Sequence, residues 1–194
     1  MFFVLDNLSS MIVFGTIAII VATTQLRVQQ TNVEQTVAYV SKSQALDFAH
    51  TVEREFKLMG VGIGHRNQMI RGLTNDVDGN TTSFIFEWYD EKNNKELTIE
   101  YRMVPGDTVM VGGVETPLLQ VQRFEDGHPR GASPPTLTRW NVQLLDDAGN
   151  PSTILDAHLV RVGFANLLAI GDAARYRVPE THWAVTLRPH NLAL

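Results

Sequence analysis

The residues with the most chemical potential in this sequence are one isolated acid, one acidic turn and six scattered histidines. Asp6 is the only charged side chain in the first 26 residues. An ionised carboxylate beside hydrocarbon is costly unless paired, which makes the position a functional candidate. The plainer alternative is an interfacial acid favoured by the positive end of the helix dipole. Asp76, Asp78 and Asn80 alternate around Gly79, and alternating oxygen ligands in a turn can converge on calcium. Setting Gly79 at the turn position of an EF-hand loop puts Ile85 where the bidentate glutamate belongs. A solvated Asp/Gly turn entering the first strand is therefore favoured over a calcium site. Asn80-Thr81-Thr82 also has the form of a glycosylation sequon. His50, His65, His128, His158, His182 and His190 form no close pair at metal-ligand spacing, and no HExxH occurs. With no G-x-S-x-G elbow, phosphate loop or paired-acid motif, no catalytic residue, resident metal or cofactor is expected.

The composition narrows the classes further. The chain has 194 residues, 44% hydrophobic and 19% charged, with a formal charge of -5 and no cysteine. That excludes a disulfide scaffold, a thiolate metal site and a cysteine nucleophile. It also gives no basic stripe of the kind that binds a phosphate backbone, so no nucleic-acid partner is expected.

The elements that must carry these residues begin with a helix. Asn7 to Leu26 is free of charge and strongly apolar from Met11 to Ala22. About 20 residues at ~1.5 Å each match a ~30 Å hydrocarbon layer, so residues 1–26 read as a transmembrane or filament-core helix. The periodicity continues: Leu26, Val33, Val37, Val40, Phe48, Val52, Phe56 and Met59 recur mostly at three- and four-residue spacing, with Ala45 and Ala49 on the same face. Residues 27–59 therefore read as an amphipathic continuation, supported by the Glu53–Lys57 pair. No proline precedes Pro105, and an unbroken helix from Phe2 to Met59 would run ~87 Å. Gly60, Gly62 and Gly64 are expected to stop it and supply a hinge. They follow a helix instead of opening one, which is the wrong dipole end for a phosphate.

Residues 60–194 read as a globular β-rich domain. Phe84, Phe86 and Trp88, then Leu97, Ile99, Tyr101 and Met103, alternate at period two around Asn93-Asn94, predicting a hairpin. Val109–Val111, Leu118–Phe124, Trp140–Leu145, His158–Leu168 and His182–Leu187 are further strands, separated by polar breaks. Five to seven strands would form one antiparallel sheet against the second half of the helix, an α+β fold. Gly131–Pro135 is expected to be a mobile surface loop.

An apolar N-terminal helix bearing Phe2 and a single acid at Asp6, continuing as an amphipathic helix into a β domain, resembles the type IV pilin and pseudopilin superfamily. Val52-Glu-Arg-Glu-Phe-Lys-Leu-Met-Gly60 and the tail Trp183–Leu194, with Arg188-Pro-His190-Asn-Leu192, are similar to the helix end and C-terminus of larger minor pilins and J-type pseudopilins. Asp6 stands where the family usually has glutamate, and His190 where it usually has arginine. The resemblance implies subunits held in the inner membrane, cleaved of a short basic leader, and extruded into a helical filament of this chain or other pilin-like subunits. Met1, Phe2 and Asp6 would then set assembly register, the Asp6 carboxylate pairing with a neighbour's free amine. The basic residues Arg27, Lys42, Arg54 and Lys57 all follow the span. Alone they would leave the β domain cytoplasmic, and a removed basic leader reverses that orientation. Two other readings stand beside a filament subunit: a single-span anchored β module that never polymerises, and a membrane-tethered enzyme.

Overall fold

The structure is a computed structural model that describes residues 2–64, 69–167 and 180–190, with side chains from residue 8 onward. Met1 and His65 lie outside these ranges, and of Phe2 and Asp6 only the helical backbone is described. Among the described residues one helix, α1 (Phe2–Leu58), is followed by eight strands: β1 (Ile70–Asn75), β2 (Thr81–Asp90), β3 (Lys95–Val111), β4 (Val114–Glu125), β5 (His128–Ala132), β6 (Leu137–Leu145), β7 (Leu159–Leu167) and β8 (Glu180–Leu187). All pairings are antiparallel, in the order β1-β2-β3-β4-β6-β7-β8, with β5 hydrogen-bonded to β4. The fold is the expected α+β arrangement of a long helix packed on an antiparallel sheet.

Aromatic residues at period two on the strands meet aromatic residues at helical spacing on α1. Phe48 lies 5.6–6.4 Å from the rings of Tyr101, Trp140 and Phe164, and Phe56 lies 5.2–5.5 Å from Phe84, Phe86 and Tyr101. Ala45, Phe48, Ala49, Val52, Phe56 and Met59 are all buried. Their spacing gives one stripe on the helix, and it is this stripe that the sheet covers. Small Ala45 and Ala49 let the sheet approach between the two rings.

Three strand expectations need correction. β1 and β5 add to the seven expected strands. β1 was hidden because bulges at Ile70/Gly72 and Thr74/Asn75 break its alternation. β5 was hidden because its five residues are all exposed and carry no apolar pattern. The separate strand expected at Val109–Val111 is the far end of β3, which runs through Pro105 with a register shift before Thr108. Gly131–Pro135 is not a loose loop either: Gly131 and Ala132 belong to β5, and Ser133 and Pro134 are buried. The Ser133 amide donates to the Val121 carbonyl at 2.8 Å and its hydroxyl accepts from the Val121 amide at 2.9 Å, copying one step of a ladder.

Asp76-Val-Asp-Gly79-Asn80 is the turn between β1 and β2, not an entry to the first strand. Asp76 Oδ1 accepts the amides of Asp78 and Asn80 at 2.9 and 2.8 Å, while Oδ2 accepts the Asn80 side chain at 3.1 Å. The same five-residue turn recurs at Asp146-Asp-Ala-Gly149-Asn150, where Asp146 accepts the Ala148 and Asn150 amides at 2.9 and 2.8 Å and the Asn150 side chain at 3.2 Å. Gly79 and Gly149 sit at φ 81° and 85°, a conformation glycine adopts without strain. The first turn also covers the free edge of β6. Thr81 Oγ1 accepts the Val142 amide at 2.8 Å, and Asn141 donates to the Gly79 carbonyl at 2.5 Å.

Candidate functional site: an uncovered apolar helix

The largest chemical anomaly in the molecule is the first half of α1. Leu8, Met11, Ile12, Val13, Phe14, Ile17, Ile19, Ile20, Val21, Leu26 and Val28 are all about half exposed or more. Each such side chain left in water forgoes about 1.5–3 kcal/mol. Together they outweigh the 5–15 kcal/mol net stability of a typical domain. A surface of this kind is a contact surface for lipid or protein. The segment is long and apolar enough to cross a membrane, with mean hydropathy 1.8 over its best 18 residues.

Its polar side chains are prepared for an apolar medium. The hydroxyls of Thr16, Thr23 and Thr24 donate to the carbonyls of Ile12, Ile19 and Ile20 at 2.8–2.9 Å, so each satisfies itself one turn back. Gly15 has open space around it. The helix does not break anywhere along its 57 residues.

The exposed apolar stripe runs past the boundary expected at residue 26. Val33, Val37 and Val40 are 63%, 43% and 46% exposed, and burial begins only at Ala45. The amphipathic segment thus has two parts: about eighteen residues that the domain leaves bare and fourteen that it covers.

The covered part is fixed in rotation by a buried polar contact. Glu55 is only 3% exposed. One of its oxygens, Oε2, accepts the Tyr101 hydroxyl at 2.6 Å and Arg123 Nε at 2.8 Å. The Arg123 fork continues to Glu125 at 3.1–3.2 Å. Burial, and then the neighbouring Glu55 charge, push the Tyr101 hydroxyl well above its ordinary value, so it stays a donor. Sequence reasoning did not single out this trio. The signal was there, since Glu55 shares the helix face of Val52, Phe56 and Met59, and Arg123 alternates with Leu119 and Val121.

α1 ends at Leu58, and Gly60 and Gly62 follow it with φ 74° and 73°. A Cβ at Gly62 would sit 2.5 Å from Tyr89 Cβ. The stretch is docked: the Gly60 amide donates to the Glu87 carbonyl and the Tyr89 amide to the Val61 carbonyl, both at 2.8 Å. Gly60 and Gly62 therefore hold the helix end against β2. Gly64 has an ordinary φ and open space.

In the turn at Asp76 the alternating polar residues hydrogen-bond within the loop. The Asp76 carboxylate accepts from Asp78 and Asn80. Burial raises the Asp76 pKa, but the donors Asn80, Asp78 and Gly79 together outweigh it and hold the group below the ordinary value. Asn80 is equally committed, donating to Asp76 and accepting the Trp140 amide, which leaves the sequon nitrogen engaged. Among the described residues no three His, Asp or Glu side chains converge as a metal site. His158 lies 3.5 Å from Asp147 and His182 lies 3.4 Å from Glu180, while the His190 amide donates to the Lys57 carbonyl near the helix end.

Comparison with protein-family models, with curated proteins and with solved structures finds no match.

Proposed function

We propose that this chain is a structural subunit of a type IV pilus-like or pseudopilus filament. In this reading its N-terminal helices form the filament core and its β domain forms the outer surface. One observation carries the reading: a single unbroken helix is core along its last fourteen residues and bare and apolar along most of the rest. A lipid anchor needs about 20 apolar residues. The bare stripe extends past that length to Val40, in a stretch that also carries Arg27, Glu34 and Lys42 and is poorly suited to hydrocarbon. Neighbouring helices of like subunits offer this mixed surface an apolar seam and a polar margin. The inner membrane would hold the subunit before assembly, with the filament emerging into the periplasm or outside the cell.

Asp6 acquires a role in the same setting. Near the start of a helix packed among apolar neighbours, its carboxylate would pair with a neighbour's terminal amine around Met1 and Phe2. A buried ion pair adds little net stability, but it penalises wrong registers because a displaced charge stays uncompensated.

The test is removal of detergent from the purified full chain followed by electron microscopy. Wild type is expected to form thin regular filaments. Asp6→Ala is expected to leave the β domain folded and to lower filament yield at least tenfold. Monodisperse single subunits from wild type would favour the non-polymerising anchored module, and normal filaments from Asp6→Ala would remove the role given to Asp6.

A further inference from the structure

We infer that the groove between α1 and β5 binds an extended, carboxylate-bearing polypeptide segment of a partner, added as a strand to β5. The groove encloses about 680 Å³. Phe48 and Tyr101 lie among its lining residues, with Thr51 and Arg54 from α1 and Arg130 and Gly131 from β5.

Three independent observations converge on this occupant. The first is the backbone. Among the described residues β5 is hydrogen-bonded to β4 alone and no strand lies on its other edge, and all five of its residues are exposed. An unpaired edge beside a helix is the arrangement that accepts an added strand, with main-chain bonds for affinity and the flanking groove for side chains. The second is the space. A Cβ placed on Gly131 meets nothing within 4 Å, and glycine in an edge strand leaves room for another backbone to approach closely.

The third is charge. The carboxylates at the arginine end of the groove are already engaged, Glu55 by Tyr101 and Arg123 and Glu125 by the Arg123 fork, while Asp47 lines the groove farther along the helix. Arg130 is 59% exposed and reaches Glu125 only at 4.0 Å. Arg54 is exposed and makes no ion pair with a described residue. Two guanidinium groups with donors to spare thus flank the groove, and the guanidinium fork matches a carboxylate. Gln44, Asp47 and Thr51 continue along the helix side, with Asp47 about 10 Å from Arg54 along the axis. The incoming segment is therefore extended, small or apolar where it crosses Phe48, and acidic at the arginine end. A single copy in a micelle presents the same groove, so this inference does not rest on filament formation.

The test uses the full chain in detergent micelles and a synthetic heptapeptide of alternating threonine and valine with one central glutamate, beside a twin carrying lysine instead. The glutamate peptide is expected to bind saturably, at least tenfold tighter than the lysine twin, and to slow amide exchange at residues 130–132. Arg54→Glu with Arg130→Glu, both at exposed positions, is expected to invert that preference. Gly131→Val is expected to weaken both peptides by filling the space without changing charge. Equal binding of the twins, no saturation at millimolar peptide, or protection confined to other strands would overturn the proposal. So would concentration-dependent protection of β5 without peptide, because the occupant would then be a second copy of this chain.

Discussion

Glu55 brings a carboxylate into an interior built mainly from aliphatic and aromatic side chains, and the consequences of removing it can be ranked. Glu55→Ala leaves the Arg123 guanidinium, itself only 13% exposed, without its buried partner. Breaking a buried pair from one side costs about 3–5 kcal/mol. Tyr101→Phe removes one hydrogen bond to a charged acceptor but keeps the Glu55–Arg123 pair, at a cost of about 1.5–3 kcal/mol. Chemical denaturation followed by tryptophan fluorescence is expected to give that order, and an inverted order would place the weight on the tyrosine. The twin turns make a second prediction at this scale. Asp146 is held below the ordinary carboxylate value, first by the Asn150 amide and then by the Asn150 side chain; Asp76 is held low by the corresponding set against an opposing burial effect. A depressed folded value means the stabilisation is complete above the ordinary carboxylate pKa, near 3.9, and is lost as pH falls through the lower folded values. Asp76→Asn with Asp146→Asn is expected to flatten stability against pH below about pH 4, and an unchanged acid limb would contradict the assignment.

At the scale of elements, α1 was legible almost to the residue, because apolar spacing, absence of proline and terminal glycines all agree over its whole length. The β2–β3 hairpin was legible for the same reason, with Asn94 at φ 51° in its turn. β1 and β5 were not, since bulges and full exposure erase the period-two signal on which strand reading depends. The second acidic turn at Asp146 was visible only as a polar break, and its identity with the first emerges from hydrogen bonds. The bare stretch from Val33 to Val40 was read as part of a covered amphipathic segment, because sequence pattern shows which face is apolar but not how far a sheet reaches along it. Two predictions belong here. Gly62→Ala meets Tyr89 at a positive φ and is expected to destabilise the domain, whereas Gly64→Ala is expected to be neutral in the same thermal melt. Val37→Asp touches no core residue and is expected to change domain stability by no more than about 0.5 kcal/mol. The same substitution is expected to impair assembly, and normal assembly would restrict the contact surface to residues before 27.

For the whole molecule, the fold divides one helix between two cores. The sheet, the aromatic cluster and Glu55 anchor the last fourteen residues of α1, and the rest is left to surroundings the chain does not itself supply. That division was legible as an uncharged span followed by an amphipathic one. The register partner proposed for Asp6 belongs to another copy, so a single chain cannot display it. The absence of cysteine allows a clean measurement of what covers the helix. A variant with Val13→Cys and Ile20→Cys, oxidised after detergent removal, reports directly whether the apolar faces of neighbouring subunits meet. The expected result is a ladder of covalent oligomers that disappears on reduction and is strongly diminished by Asp6→Ala. A single monomer band under the same oxidation, with both thiols open to a lipid-soluble maleimide, would contradict a filament core built from these helices.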